Sequence, residues 1–206
     1  MSRVRKVHEE VKEIYEHPDS RSMGLWMWQN HVQWVADKVK QLAQKYEADT
    51  EKVVSAALLH DLADAKHARG AEHFDTWSES EAKRILKSAG FSEEETTEVI
   101  EVIVRPHSCR PDNLPTTLEG KVLATADAMF HLQTNFFPML CYKQRPEHTK
   151  TYEEWQRWFY EKVERDYGTK IFFDDEKNEV TADYEALKRV FGNRSLKGIN
   201  GVSHQL

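Results

Sequence analysis

The 206-residue chain has only two cysteines, Cys109 and Cys141, without CxxC spacing, which excludes a disulfide framework and fits a reducing cytoplasm. No apolar run approaches the roughly 20 residues of a membrane span, and the N-terminal MSRVRKVHEE lacks the apolar centre of a signal peptide. Membrane insertion and export are therefore not expected. An excess of positive charge is missing too. The 29 Lys and Arg residues are outnumbered by 35 Asp and Glu, and the net charge of −6 argues against a broad footprint for duplex nucleic acid, though a local basic pocket stays open. There is no internal repeat, no low-complexity block, no glycine-rich phosphate loop and no GxSxG, and neither cysteine has a His–Asp neighbourhood in sequence. Walker-type phosphate cradles and serine or cysteine nucleophiles are thus unsupported.

What the chain does have is 39% hydrophobic and 11% aromatic residues at a mean hydropathy of −0.74, the balance of a folded chain that faces water. A chain of this length buries ~70% of its unfolded surface, so it needs no metal merely to hold a core. Helical periodicity dominates. Val4, Val7, Val11 and Ile14 repeat every three or four residues and stop at His17-Pro18. Leu25, Trp28, Val32, Val35, Val39, Leu42 and Tyr46 mark a second, longer amphipathic helix. A third, capped by Asp49 or Thr50, is expected from residue 53 to about 65, its VVSAALL run apolar nearly all round and hence central. Another is expected at 80–89, closed by Gly90, and Ser92 with Glu95 forms a capping box for the next, which Arg105-Pro106 ends. Residues 106–115 hold three prolines and read as a loop. Helix returns at 117–133 and at the aromatic stretch 152–167, and residues 182–192 read as a last helix before a loose tail from Asn193. Between these, KIFFDDEKNEVT at 170–181 suggests a short hairpin, with Asp174–Asn178 as its turn. The fold class is all-α, with that hairpin as an optional addition.

Three places break the helical pattern. His31 sits beside the apolar stripe of the second helix, His60-Asp61 ends the most apolar helix in LLHDLAD, and Asp127 lies in the apolar LATADAMF. Burying an unpaired carboxylate costs several kcal/mol, so Asp61 and Asp127 need partners. One divalent cation shared with His31 and His60 would satisfy all four, and two carboxylates balance its 2+ charge.

The order H…HD…D, with a His 29 residues before the HD pair and an Asp 66 residues after it, resembles the HD-domain superfamily of metal-dependent phosphohydrolases over roughly residues 25–135. The resemblance implies a helical bundle spanning 1–206 as a single domain, with a core at about 25–135 and a C-terminal helical extension at about 150–192. It implies one divalent metal, Mn, Fe, Co, Ni, Zn or Mg, on His31, His60, Asp61 and Asp127. Neighbouring helix residues point about 100° apart, so spacing alone does not bring His60 and Asp61 to one ion. Asp64 lies four residues after His60, on the same helical face, and is the expected catalytic carboxylate that orients the attacking water. The related ppGpp hydrolases carry a Glu-Asp pair where this chain has Asp64-Ala65, which argues against that substrate. The pattern HDxADxK, with Lys66, is similar to a bacterial subgroup that splits nucleoside triphosphates. Lys66, Arg105 and His107 are the expected substrate-binding residues, with Arg69 and Arg110 as lesser members of a basic pocket. Diiron members of the superfamily, including oxygenases, use two further histidines between HD and the last Asp, and His73 and His107 are available; His67 and His131 raise the same question. The expected function is hydrolysis of a nucleotide phosphate, mono- or triphosphate, by metal-activated water. A diiron oxygenase and a non-catalytic nucleotide-binding module with a structural metal are the alternatives. The expected partner is a small phosphate-bearing molecule, with a homodimer left open. Trp26 and Trp28 could stack a base, but a tryptophan at helical spacing is more often core.

Overall fold

The computed structural model describes residues 1–144 and 150–191. Ten α-helices follow one another among these residues, with no strand; one isolated bridge joins Arg110 and Asn113. None of the helices is long and apolar enough to cross a membrane. The tail from Asn193 lies outside the described residues.

Helix α4 (Thr50–Leu59) is the centre, because every residue from Val53 to Leu59 is buried. Asp49 caps it, accepting hydrogen bonds from the Glu51 and Lys52 amides at 3.1 Å. Around it pack α1 (Arg3–Glu16), α3 (Gln33–Tyr46) and α7 (Leu118–Gln133). Val7, Val11 and Tyr15 of α1 fill one side, and Val35, Val39 and Leu42 of α3 another. In α7 every residue from Val122 to Leu132 is buried, Asp127 included. α2 (Ser22–Met27) runs into α3 through a π-helical turn at Trp28–Val32, so the expected second helix is continuous but carries one wide turn. α5 (Phe74–Ala89) starts six residues before the expected helix and ends where Gly90 takes φ +100°, open to glycine. The capping box forms as read: Ser92 and Glu95 exchange hydrogen bonds at the head of α6 (Glu93–Thr97), which continues as a π-helical segment Glu98–Val104 and a 3₁₀ turn Arg105–Ser108.

Two expectations are corrected here. The central helix does not reach residue 65. It stops at Leu59, Asp61 leaves the helical region (φ −118°, ψ 23°), and a 3₁₀ turn Leu62–Ala65 follows. The hairpin at 170–181 does not exist either. After α8 (Phe136–Gln144) and α9 (Tyr152–Arg165), the chain makes a π-helical turn Asp166–Lys170, is extended at Ile171, and enters α10 (Asp174–Phe191). The acidic run Asp174, Asp175, Glu176 is a helix start, since carboxylates favour the positive N-terminal end of the helix dipole. Glu176, Val180 and Tyr184 then repeat every four residues as its buried face. Phe173 stacks on Tyr46 with ring centroids 3.9 Å apart, and the buried Glu176 carboxylate accepts from the Tyr46 hydroxyl and from Lys45.

Gly24 lets α2 lie on the turn after Asp61. A Cβ there would stand 2.6 Å from the Ala65 Cα, a backbone atom that cannot swing aside. Gly24→Ala is expected to destabilise by about 1–3 kcal/mol, the usual range for overpacking, read as a lowered denaturant midpoint at constant slope. An unchanged midpoint would show that α2 and the turn separate freely.

Candidate metal centre

Four elements deliver the four motif side chains. The π-helical turn between α2 and α3 carries His31, 1% exposed. His60 follows α4, and its Nδ1–H donates to the Ala57 carbonyl at 2.6 Å, which fixes the tautomer and leaves the Nε2 lone pair facing inward. Because the chain leaves the helix at Asp61, His60 and Asp61 are not held 100° apart, and both reach the same point. The Tyr15 hydroxyl of α1 donates to the Asp61 carbonyl at 2.7 Å and pins that bend. Asp127 projects from the middle of α7.

The His31 Nε2 atom stands 3.0 Å from His60 Nε2, 3.3 Å from Asp61 Oδ2 and 3.4 Å from Asp127 Oδ1. His60 Nε2 is 3.6 Å from Asp61 Oδ2 and 3.9 Å from Asp127 Oδ1. Donors bound at about 2.1 Å to one ion stand about 3.0–3.4 Å apart when adjacent, so these atoms are spaced for a common cation. Asp127 Oδ1 is buried and makes no hydrogen bond among the described residues. His31 Nδ1 is likewise buried without a partner there.

The other carboxylate oxygens are neutralised separately. Lys170 Nζ, from the turn after α9, donates to Asp127 Oδ2, and Arg69 Nη2 lies 2.9 Å from Asp61 Oδ1. Burial opposes ionisation of Asp127, but the facing His131 and Lys170 hold its carboxyl well below the usual range. Burial likewise works against Asp61, whose carboxyl the facing Arg69 above all, with a hydrogen bond from His31, holds well below the usual range. Lys170 is itself fully buried, yet Asp127 and Asp166 raise its pKa above the ordinary lysine value. Burial pushes the His31 imidazole down to about 4, so it is neutral at pH 7.

A cavity of about 470 Å³ opens on one side of this point, lined by His60, Asp61, Arg69, Arg105, His107 and Arg110 among others. Of the residues expected to bind substrate, Arg105 and His107 line it. Arg105 also pairs with Glu79 at 2.8 Å and with Glu101. The His107 ring meets the edge of His60 with centroids 5.3 Å apart, and its Nδ1–H donates to the Val104 carbonyl at 2.5 Å. Burial pushes His107 down to about 4, so its Nε2 is an acceptor at neutral pH. Lys66 is not brought to the cavity: it lines a separate depression with Glu10, Glu13, Ile14, His17 and Arg84. Asp64 is buried behind Asp61, and both its oxygens accept from Arg69, at 3.1 Å from Nε and 2.5 Å from Nη2. Asp64 is not among the side chains that line the cavity. His73, at the head of α5, is exposed, and His67 packs edge-on against Trp77; neither joins a group of possible metal ligands among the described residues. Trp28 is core. Trp26, packed against that core, stacks on Phe136.

Sequence reasoning missed Lys170, read as the start of a hairpin, and Asp166, read as part of the helix 152–167, and underrated Arg69. His131, raised only in connection with a second metal, lies four residues after Asp127 and hence one turn along the same face of α7.

The HD-domain family model matches residues 28–130, half of the chain, and the chain belongs to that family. HD domains bind divalent metals, and the donors fit such an ion: two imidazoles and two carboxylates, the other three gathered around His31 Nε2 within 3.0–3.4 Å of it, and an orphaned buried oxygen on Asp127. The fold is similar to Bacillus subtilis YpgQ, solved in complex with ADP (TM-score 0.64, 22% identity, covering 97% of this chain and 96% of that one) and in a selenomethionine form (TM-score 0.65, 22% identity, 98% of each). It is also similar to a predicted HD superfamily hydrolase from an uncultured Thermotogales bacterium, with TM-score 0.59, 17% identity, and 92% and 89% covered. Comparison with curated proteins returns no match.

Lys170→Met leaves the Asp127 carboxylate buried without its cation. The expected loss is about 3–5 kcal/mol of unfolding free energy in chelator-treated protein, and Asp127→Asn in the same chain should recover part of it. Additive single and double variants would show that the two groups do not interact.

Proposed function

We propose that the protein is a metal-dependent phosphohydrolase acting on a nucleotide, working through the HD-type centre as one unit with its C-terminal helices. The observation that carries the reading is the convergence of His31 Nε2, His60 Nε2, Asp61 Oδ2 and Asp127 Oδ1 beside a cavity that three arginines line. That YpgQ, with the same fold, was solved with ADP supports a nucleotide as the ligand class. His31, His60, Asp61 and Asp127 would hold a divalent cation, which when bound would supply Lewis acidity toward water and a phosphoryl oxygen.

The remaining roles fall to the chain's own groups. Arg69 Nε and Nη2 are fixed by Asp64 and Asp61, while Nη1 makes no hydrogen bond among the described residues and is available to a phosphate oxygen in the cavity. Asp64 therefore acts through Arg69, since both its oxygens are engaged. His107 Nε2 accepts a proton or hydrogen bond from the attacking water, because its other nitrogen is committed to Val104. Arg105 and Arg110 meet the developing negative charge from the cavity wall. Lys66, on another surface, takes no part in this arrangement.

The deciding experiment incubates the full chain and Asp61→Ala with a panel of nucleoside mono-, di- and triphosphates plus Mn²⁺ and resolves the products chromatographically. Turnover of at least one nucleotide by the wild type, lost in the variant with its circular dichroism unchanged, is the expected result. A silent panel, or turnover retained by Asp61→Ala, would overturn the reading. On whichever nucleotide is turned over, Arg69→Lys should raise KM on the order of tenfold, the loss of one charge-assisted hydrogen bond worth about 1.5 kcal/mol, with a smaller effect on kcat.

A further inference from the structure

The HD motif accounts for four side chains, and a fifth is built to the same purpose. His131 lies one helical turn beyond Asp127 on α7 and is buried, 8% exposed. Its Nδ1 is 2.8 Å from Asp166 Oδ2, and a carboxylate can only accept, so Nδ1 carries the proton. Asp166 is fully buried and is held in turn by Arg165 Nη2 at 2.8 Å. With Nδ1 so committed, His131 presents its Nε2 to the centre, 3.4 Å from the unpartnered Asp127 Oδ1. A cation between these two atoms would give the buried Asp127 Oδ1 the partner it lacks. His131 does not line the substrate cavity: Phe136 and Phe137 cover it with centroids at 4.8 Å, and its ring lies parallel to His31 at 5.3 Å.

Two groups of candidate ligands thus exist, His31 with His60 and Asp61, and His31 with Asp127 and His131. Both use His31. An imidazole nitrogen has one lone pair and cannot bridge two cations, so the groups describe one centre. We propose that His131 is a fifth protein ligand of that centre and that Asp166 orients it. The proposal rests on the reading that the centre holds a divalent cation. Buried carboxylates that accept from the far nitrogen of a metal-bound histidine are the usual support for such a ligand, and their loss typically weakens metal binding 10–100-fold. Asp166 is a positioning residue in this scheme, and Lys170, on the far oxygen of Asp127, keeps that carboxylate from turning away.

The test titrates Co²⁺ into chelator-treated full-length protein and follows the visible d–d absorption, with binding measured in parallel by calorimetry. Wild type is expected to take up one Co²⁺ per chain. His131→Ala should bind it roughly 10–100-fold more weakly with a shifted spectrum, and added imidazole should restore the wild-type bands. Asp166→Asn should weaken binding while keeping the spectrum. If His131→Ala does not fold by circular dichroism, His131→Gln is read in the same way. Affinity and spectrum unchanged in the His131 variant would overturn the fifth ligand while leaving the four-residue centre standing. A wild type that binds no Co²⁺ would overturn the metal centre itself, and two Co²⁺ per chain would overturn the single shared site.

Discussion

An ionised carboxylate in the middle of an otherwise apolar helix is the constraint around which this protein is arranged. Asp127 sits in a helix buried from Val122 to Leu132, where an uncompensated charge would be intolerable. Its two oxygens are treated differently. One is matched to Lys170, a lysine brought from a distant segment and itself fully buried. The other is left bare among imidazole nitrogens. The lysine makes the burial bearable and the bare oxygen makes it useful. The C-terminal turn is tied down accordingly: Thr125, two residues before Asp127, donates to the Lys170 carbonyl and accepts from the Phe172 amide.

The surroundings of the centre are polarised into two halves. On the His60 and Asp61 side, charged groups line an open cavity. On the His31 and His131 side, Phe130, Phe136 and Phe137 form an aromatic wall. The centre is thus open on the first side only, while the wall keeps the local dielectric low and strengthens the charge interactions at the centre.

Local regularities in the sequence were a good guide, and tertiary ones were not. Apolar spacing placed α1, α3, α4 and α7, and Gly90 and the Ser92–Glu95 box marked the end of α5 and the start of α6, because caps are local chemistry. The four side chains that lie together at the candidate centre also stand out in the sequence, since a charge in an apolar helix is conspicuous. The end of α4 was misjudged by six residues because Asp61 is drawn out of the helix by what it faces, and propensity does not record that. The supposed hairpin failed for a similar reason. Ile171, Phe172 and Phe173 look β-prone in isolation, but here they fill an extended passage between two helices, with Phe173 packed on Tyr46. Lys170 and Asp166 carry no sequence signal at all: their meaning lies in what stands opposite them.

Among the described residues three helices widen into π-helical turns, at Trp28–Val32, Glu98–Val104 and Asp166–Lys170. The first holds His31, the second leads into His107, and the third holds Asp166 and Lys170. A π-turn is one residue more than the α-helix needs, so each is a place where the count of residues, rather than their kind, sets where a side chain points. Removing a single residue from any of them would restore regular helix and swing all that follows by about 100° about the helix axis. Substitution in these turns is therefore a milder insult than deletion, and relatives that keep the chemistry must keep the spacing.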